Sequence, residues 1–506
     1  IVALAKKAGM RYVVLTAKHH DGFCMFESEH TDFDIIDASP YKQDILKQLT
    51  DACRTHGLKL GVYYSTPDWR FNGPNPEINP HDGKISVFSK VSKANEDYQV
   101  AQLKELMSNY GDIVELFFDM GEPTPAQSKR FADTVHALQP DCMINGRIMN
   151  NQGDFITMPD NHMPDVPLTQ LPWESPGTFY HTWGYKSWVK GAPLEEQVPA
   201  QIKKLVTIAA RGGNFLLNIG PMADGSVVPY EADVLEGIAA WTAQNGDSVF
   251  GTGVTPFAKL SWGECTTGDN KLYLHVFEWP EDGQLTVPGL QNKVTAAYPL
   301  TQPDTQLSYH NGNLTLDGVK QDPNHTVIVL EYEDELDVQP VRTETKSNGT
   351  LLLRGSDAIH HGKYGRESYR SILPDYYRTW DVGALEAGTY DVSLVYQLRA
   401  KEKDFKLEIA GQTLDFALKG KADKEESFIM DGNEELSEIS QTTKGNWQRV
   451  TVGQITVGDV APQTLTLRQG QEFEFHATLD AFKQQDPTYR SMKLDIKALA
   501  LSPKKH

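Results

Sequence analysis

Residues 113–121 read IVELFFDMG, an almost unbroken apolar run that ends in a carboxylate and a glycine. Such a run predicts a strand that is buried on both faces, as strands of parallel sheets are. Amphipathic segments lie on either side of it, ANEDYQVAQLKELMSNYG before and TPAQSKRFADTVHALQP after. A buried strand between two such helices predicts a repeated strand–helix unit and therefore a parallel sheet.

The same alternation extends in both directions from this strand. Further strands are predicted at 11–17, 58–65, 142–148 and in NFLLNIG, with weaker candidates near Trp173 and Phe250. Polar side chains cluster where these strands end: His19, His20, Tyr63, Asp119, Arg147 and Asn218. A (β/α)8 TIM-like barrel keeps its active site at that edge, so we predict this fold, in the α/β class. Its first unit is expected to be incomplete, because the chain opens on the helical pattern IVALAKKAG.

An open doubly wound sheet is the alternative architecture. It usually carries a glycine-rich phosphate loop after its first strand, and this sequence has none there. We therefore predict a catalytic (β/α)-barrel domain over 1–253. The later sequence alternates apolar and polar residues between turns, which predicts a small antiparallel β-sandwich over 254–334 and a C-terminal β-sandwich over 345–506. Trp380 and Trp447 make the last a candidate carbohydrate-binding module, with core packing as the alternative role.

Composition limits the partners of this 506-residue chain. Its 68 acidic and 48 basic residues give a formal net charge of -20, which would repel a nucleic acid or an anionic membrane. No apolar run reaches the roughly 18 residues of a transmembrane helix. The four cysteines form no CxxC pair and no metal-ligand cluster. We expect no cofactor and no metal, and a neutral substrate such as a sugar.

Asp119 is the strongest candidate for a reacting group. A retaining glycosidase needs an ionised carboxylate as nucleophile and a second carboxyl as acid/base, about 5–5.5 Å away. Two residues are candidates for the second role: Asp160, in the loop after the Arg147 strand, and Glu174, whose pKa a neighbouring indole would raise. Alternatively, Asp119 caps a turn, Asp160 is an ordinary loop residue, and Glu174 forms an ion pair with Arg147.

Histidines and aromatic rings provide candidate sugar contacts. His19 and His20 can bind hydroxyl groups, although buried histidines with internal partners, or a zinc site that includes Asp21, are alternatives. A cluster of rings could stack on a sugar or pack in the core: Trp173, Phe179, Tyr180, Trp183 and Tyr185. Of these, we assign Trp173 and Trp183 to substrate binding.

Taken together, the motifs RYVVLTAKHHDGF, GVYYSTPDW, ELFFDMG, INGR, PWE…WGY and GGNFLLNIGPMADG resemble the α-L-fucosidases of glycoside hydrolase family 29. They occur in the family's order, over about residues 1–255. The resemblance implies retaining, exo-acting hydrolysis of terminal α-linked L-fucose from a fucosylated oligosaccharide or glycoconjugate. Asp119 would form the covalent fucosyl-enzyme, His19 and His20 would bind fucose hydroxyls, and Tyr63 and Arg147 would line the sugar site.

The sequence departs from the family in two places. Family members place the acid/base either in the loop that here holds Asp160 or at the glutamate that matches Glu174. The usual pattern near the first position carries Glu, whereas this chain reads TMPDN, so both residues stay candidates for the acid/base. Of the two, we favour Asp160 for the proton and Glu174 for support. A His-Trp-Gly sugar-binding segment is expected before the first strand, and none precedes Ile1.

Two other functions remain open at the level of sequence. One is a non-catalytic fucose- or glycan-binding protein on the same scaffold, and the other is a barrel glycosidase for another sugar such as galactose. Assembly as a homo-oligomer and a periplasmic or secreted location are both compatible with the resemblance.

Overall fold

Helices and short strands alternate over the first half of the chain. The computed structural model describes residues 1–71, 89–180, 182–361, 377–398, 402–420, 447–469 and 494–504. The helices are α1 (Val2–Lys7), α2 (Ile45–His56), α3 (Lys93–Asn109), α4 (Pro125–Leu138), α5 (Leu194–Ala210) and α6 (Pro229–Asn245). The strands between them are β1 (Tyr12–Lys18), β2 (Lys59–Ser65), β3 (Ile113–Asp119), β4 (Met143–Ile144), β5 (Ile156–Thr157), β6 (Trp173–Thr178) and β7 (Asn214–Asn218).

All of these strands pair in parallel, as their continuous apolar character predicts. They form two ladders in sequence order, β1-β2-β3-β4 and β5-β6-β7. A parallel bridge between Asn145 and Phe155 connects one ladder to the other. In the described ranges no ladder joins β7 to β1.

Two strand predictions differ from the structure. The strand predicted over 142–148 ends after Ile144 and continues as a 3-10 turn over Gly146–Ile148. The side chain of Asn145 accepts a hydrogen bond from the Phe118 amide at 2.8 Å and donates one to the Phe118 carbonyl at 2.9 Å. At this end of β3, these two side-chain bonds take the place of backbone bonds between neighbouring strands. The strand predicted near Phe250 is wrong, because Gly246–Ser248 is a 3-10 turn and the following residues form turns.

The helix ends have the expected capping residues. Asp44 caps α2, and α4 begins with Pro125 behind a capping box formed by Thr124 and Gln127. Gly57 ends α2 in the left-handed conformation, where a glycine carries no steric cost. Apolar faces of the helices then pack on the outer face of the strands, with buried side chains that include Leu46, Val62, Leu103, Phe118 and Phe131.

The parallel strands curve and enclose an interior. The Tyr12 hydroxyl on β1 donates a hydrogen bond to Glu174 on β6, and Glu115 on β3 interacts with the same carboxyl. Such contacts require β1, β3 and β6 to face one another across the inside of the sheet. On the outside, α1 packs against α6, with the Thr242 hydroxyl donating to the Ala8 carbonyl at 3.3 Å.

The middle of the chain forms two antiparallel sheets. Their strands are β8 (Gly263–Gly268), β9 (Lys271–Val276), β10 (Gln284–Thr286), β11 (Val294–Pro299), β12 (Ser308–His310), β13 (Asn313–Thr315) and β14 (Thr326–Tyr332). The sheet orders are β11-β14-β9-β8 and β10-β13-β12. Trp241 of α6 reaches across the junction, donating from Nε1 to the His325 carbonyl at 2.9 Å.

The last part of the chain forms two more antiparallel sheets, β15-β23-β18-β21 and β16-β17-β22-β19-β20. Their strands are β15 (Leu351–Arg354), β16 (Ile359–His361), β17 (Tyr377–Val382), β18 (Gly388–Leu398), β19 (Glu402–Ile409), β20 (Gln412–Lys419), β21 (Gln448–Val457), β22 (Gln463–Gln469) and β23 (Leu494–Pro503). Trp380 lies in their core and donates to the Arg354 carbonyl, while Trp447 is partly buried beneath Lys497. Among the described residues, no helix has the length and apolarity needed to span a membrane.

Candidate active site

Asp119 is the last residue of β3, at the carboxyl end of the parallel strands. Met120 and Gly121 follow it with φ values of 59° and 76°, which turn the chain sharply away from the strand. A Cβ atom at residue 121 would lie 2.7 Å from the Thr66 Cγ2 atom, so this turn requires a glycine. The bend leaves the Asp119 side chain at the end of the sheet, where the polar residues predicted from the sequence meet.

Both oxygens of the Asp119 carboxylate accept hydrogen bonds. The Tyr63 hydroxyl donates to Oδ2 at 2.7 Å, and Nη1 of Arg147 donates to Oδ1 at 2.9 Å. Burial raises the pKa of Tyr63, and the charge of Asp119 raises it further, so the phenol remains a donor. These contacts orient the carboxylate, and neither of them comes from another acidic side chain.

Arg147 brings a second carboxylate to the site. Its Nη2 donates to Oδ1 of Asp160 at 2.7 Å and to the Met158 carbonyl at 3.1 Å. Burial acts to lower the pKa of Arg147, but the charges of Asp119 and Asp160 outweigh it and raise that pKa. The Asp160 side chain remains 44% exposed, unlike Asp119 beside it. One planar guanidinium therefore holds a buried carboxylate and an accessible one on its two outer nitrogens.

The two histidines lie beside this pair of carboxylates. Nδ1 of His20 is 2.6 Å from the Ser65 hydroxyl, and its Nε2 is 4.0 Å from Oδ2 of Asp119. His19 stacks on the Tyr63 ring, with 5.6 Å between centroids. Burial lowers the pKa of His20 to about 4, helped by the neighbouring His19, and burial also lowers the pKa of His19. Both rings are therefore neutral near pH 7 and can donate to or accept from sugar hydroxyls.

No group of three or more potential ligands that could hold a metal ion occurs in the ranges that the structure describes. His20 instead has the Ser65 hydroxyl on one ring nitrogen, and its ring lies 5.5 Å from that of Trp69. This arrangement matches hydrogen bonding to a polar neutral ligand.

Glu174 lies elsewhere. It is the second residue of β6, and its carboxyl meets Tyr12 and Glu115 in the interior. Glu115 precedes Asp119 by four residues on β3, which corresponds to about 13 Å along the strand. Burial raises the pKa of Glu174 to about 7. Interior side chains cause this desolvation rather than the neighbouring indole, because Trp173 points to the opposite face of β6.

The two tryptophans assigned to substrate binding are in different environments. Trp173 is only 1% exposed and packs in the core against Met158 and Ile208, which is the alternative role considered for it. Trp183 is 41% exposed on the segment after β6, and its carbonyl accepts a hydrogen bond from Asn218 at 2.7 Å. Only Trp183 lies at the edge of the sheet where the strands end.

Several residues near the site were not singled out from the sequence. Ser65 and Trp69 contact His20, while Lys18 and Asp68 form a buried ion pair behind it. The signal was available, since Lys18 belongs to the KHHDGF segment and the other three belong to GVYYSTPDW. Each follows or ends a strand, which is the position where the first set of candidates was found.

Comparisons with known proteins show which family the chain is similar to. A family model described as "Alpha-L-fucosidase" matches residues 1–247. An α-L-fucosidase isoenzyme 1 from Paenibacillus thiaminolyticus is 30% identical, with a TM-score of 0.59, covering 66% of this chain and 86% of that one. An α-L-fucosidase from Vibrio sp. strain EJY3 is 25% identical, with a TM-score of 0.65, covering 99% of this chain and 86% of that one.

A third structure is an α-L-fucosidase of glycoside hydrolase family 29 from Bacteroides thetaiotaomicron, solved as a trapped covalent intermediate with 2-fluoro-fucosyl fluoride. It is 26% identical, with a TM-score of 0.57, covering 66% of this chain and 81% of that one. The chain spans about three fifths of the length of the curated relatives it matches, which are also named α-L-fucosidases. The chain described here belongs to the α-L-fucosidases of glycoside hydrolase family 29.

Proposed function

We propose that the chain is a retaining, exo-acting α-L-fucosidase that releases terminal α-linked L-fucose from oligosaccharides or glycoconjugates. The observation that carries the proposal is the arrangement of Asp119 and Asp160 on the two outer nitrogens of Arg147. Retaining hydrolysis needs two neighbouring carboxyl groups with different roles. The Bacteroides relative that was trapped as a covalent intermediate supports the same type of reaction.

In the first step, an oxygen of the Asp119 carboxylate attacks the anomeric carbon of fucose. The bond from that carbon to the glycosidic oxygen breaks, and Asp160, which enters this step in its protonated form, gives its proton to the departing oxygen and becomes a carboxylate. A buried carboxylate suits the nucleophile, because it is shielded from bulk water and oriented by Tyr63 and Arg147. A half-exposed carboxyl suits the proton donor, because it must reach the leaving group and exchange protons with solvent.

In the second step, Asp160 takes a proton from a water molecule, and the resulting hydroxide equivalent attacks the same carbon. The bond to Asp119 breaks, which returns the carboxylate and releases fucose with its original configuration. Arg147 stays charged throughout and offsets the negative charge that moves between the two carboxylates.

Substrate recognition is proposed to rest on the neutral histidines. His19 and His20 lie next to the nucleophile and can bind two hydroxyl groups of one sugar. The rings of Tyr63, Phe117 and Trp69 provide apolar surface beside them, which suits the C–H face and the C6 methyl group of fucose. Galactose carries a hydroxymethyl group at that carbon, so a polar group would have to be desolvated there.

Glu174 is proposed to have a structural role rather than to transfer the proton. Its carboxyl accepts a hydrogen bond from the Tyr12 hydroxyl and lies beside Glu115, toward the start of β3 and β6. The hydrogen bonds of Arg147 go to Asp119 and Asp160, and Glu174 acts on that guanidinium only through its charge.

The fold is proposed to be a (β/α)8 barrel followed by two β-sandwiches, over 1–253, 254–334 and 345–506. The curvature that brings β1 and β6 together across the interior, and the packing of α1 on α6, support a closed ring of helices around the strands. One of the eight strands would lie between β7 and β1. Groups of buried apolar side chains within 2–148, 257–332 and 351–501 support the three units, and a further group joins α5 and α6 to β9 and β14.

The proposal is tested with an aryl α-L-fucoside and the matching aryl galactoside. We expect the wild type to hydrolyse the fucoside in preference, and D119G to lose activity by at least about 10³-fold. Because the nucleophile is then missing, added azide should attack from the opposite face and give the β-fucosyl azide.

The other outcomes separate the remaining functions. Calorimetric binding of fucose by the wild type without any turnover would indicate a glycan-binding protein. Preference for the galactoside would indicate a different substrate, and full activity of D119G would rule out the assigned nucleophile. The matched control D133N changes an aspartate on the exposed face of α4 and should leave the rate unchanged.

A further inference from the structure

A buried ion pair lies directly behind the histidines. Lys18 is fully buried, and its Nζ is 3.4 Å from Oδ2 of Asp68, which is also buried. The same ammonium donates to the Tyr64 hydroxyl at 3.0 Å and lies 4.1 Å from the centre of the Tyr64 ring. The Tyr98 ring faces it from another side at 5.3 Å. The charge is therefore enclosed by one carboxylate and two aromatic rings.

The pair joins the two loops that carry candidate sugar contacts. Lys18 ends β1 and immediately precedes His19 and His20, while Asp68 immediately precedes Trp69. The loops also meet through their backbones, because the Trp69 amide donates to the His20 carbonyl at 2.8 Å. The ion pair thus connects the two loops at the residues that immediately precede the candidate sugar contacts.

Asp68 also shapes each loop locally. Its Oδ1 accepts a hydrogen bond from the Phe71 amide at 2.8 Å, which closes the turn after Trp69. On the other side, the carboxylate lies against Gly22, where a Cβ atom would come within 2.4 Å of Oδ1. Gly22 has a φ of 83°, so both its conformation and this close approach favour a glycine. The carboxylate therefore contacts the loop of the histidines as well as its own.

Stability alone is a poor explanation for such a pair. Desolvating two charges costs several kcal/mol per ion, and well-packed apolar residues can often replace a buried pair with little loss. Burial acts to lower the pKa of Lys18, although Asp68 opposes this. An ammonium and a carboxylate do provide a directional contact between two particular loops, which apolar packing provides less specifically.

We propose that Lys18 and Asp68 are positioning residues, which hold the loops of His19, His20 and Trp69 in the geometry that binds the sugar next to Asp119. The inference rests on the proposed function, since it assumes that these loops bind fucose. It adds a role for two residues that do not touch the substrate. Lys18 also acts on His20 through its charge, because a nearby ammonium disfavours protonation of the imidazole.

The test is a double-mutant cycle with K18M, D68N and K18M/D68N. Each single variant leaves one polar or charged group without its partner, so we expect both to unfold at lower temperature than the wild type. The double variant removes the ammonium and the carboxylate charge together and should recover most of that loss. The control K129M/D133N removes an exposed pair on α4 and should match the wild type in every measurement.

In the double variant, the effect on sugar binding can be measured apart from the effect on stability. We expect it to be folded, yet to bind L-fucose about tenfold more weakly by calorimetry, with KM raised by a similar factor and kcat changed less than about threefold. Recovery of fucose affinity along with stability would overturn the proposal.

Failure of the proposed function looks different. A wild type that binds fucose without turnover would contradict the proposed hydrolase activity. The role of Lys18 and Asp68 would then be decided by comparing the fucose affinity of the wild type with that of the double variant. A folded wild type that binds no fucose would contradict both, because there would be no sugar geometry for the loops to set.

Discussion

Arg147 and Asp119 form a buried ion pair, with 2.9 Å between Nη1 and Oδ1. The second outer nitrogen of the same guanidinium bonds Asp160, so the two carboxylates are related by one rigid plane. A flexible point charge could neutralise them but could not fix their separation. The direction of each hydrogen bond is therefore expected to matter for catalysis as well as the charge.

The variant R147K tests this directly. A lysine keeps the positive charge but cannot bond both carboxylates in the fixed geometry of the guanidinium, so we expect kcat/KM for an aryl fucoside to fall by on the order of 10²-fold. The control R130K alters an arginine that bonds Glu96 and Asp97 on the helical surface, and its rate should stay near that of the wild type. Equal rates for R147K and R130K would contradict the role given to Arg147.

Leaving-group dependence distinguishes the two candidate proton donors. A poor leaving group, such as the hydroxyl oxygen of a second sugar, needs a proton from the enzyme, whereas nitrophenolate departs without one. We expect D160N to lose about 10²–10⁴-fold in kcat/KM on a fucosylated disaccharide and much less on a nitrophenyl fucoside. E174Q should reduce both rates by the same modest factor, because Glu174 lies in the interior. A larger loss on the disaccharide in E174Q would reverse the assignment.

The sequence was informative wherever the location of a side chain followed from its position on a strand. Asp119, Arg147 and the two histidines all come just after or at the end of buried runs, and parallel strands bring such ends to one edge. The placement of Glu174 needed the register of β6, because a residue at the start of a strand lies at the opposite edge from one at its end. Periodicity gave β6 only as a weak candidate near Trp173, so the edge could not be assigned.

Long-range polar contacts were also beyond prediction from pattern. Lys18 and Asp68 are 50 residues apart, and Lys–Asp pairs also occur on exposed helix surfaces of the same chain. Their burial depends on how two loops fold over the rings of Tyr64 and Tyr98. The interior meeting of Tyr12, Glu115 and Glu174 likewise depends on curvature of the sheet, which no single segment encodes.

The interior carboxyl pair predicts a loss of stability as the pH rises from about 4.5 to 7. Burial raises the pKa of Glu174 from 4.5 to about 7, and burial and Glu174 together raise the pKa of Glu115. A raised folded-state pKa means that the stabilisation is complete below about pH 4.5 and is lost as the pH rises through 7. For Glu174 this corresponds to on the order of 3 kcal/mol in the free energy of unfolding.

The measurement is the free energy of unfolding in urea at pH 5, 7 and 8.5. We expect E174Q, which stays neutral, to lose less stability over this range than the wild type. The control E236Q changes a glutamate on the exposed surface of α6, and its pH dependence should follow the wild type. A wild-type curve parallel to that of E174Q would contradict the raised pKa of Glu174 in the folded protein.

A second buried pair predicts the opposite behaviour in acid. Nδ1 of His275 lies 3.2 Å from Nε2 of His325, where β9 and β14 pack against Trp241 of α6. Burial lowers the pKa of His275 to about 3; burial also lowers that of His325, helped by His275 and then by Lys203. Thr266 and the Ser248 carbonyl complete the surroundings of His275. Each ring is therefore uncharged in the folded protein.

Because these pKa values are depressed, their stabilisation is complete above about pH 6.5 and is lost as the pH falls toward 3. Each histidine that binds a proton only on unfolding contributes a slope of up to about 1.4 kcal/mol per pH unit. We expect H275Q to be less stable than the wild type at pH 7, through lost packing, but to lose less stability between pH 6.5 and 4. H30Q, at an exposed histidine, should keep the wild-type slope. If H275Q and H30Q have the same slope, protonation of His275 does not drive the acid unfolding, since His275 is enclosed between the sheet and α6 whereas His30 is exposed.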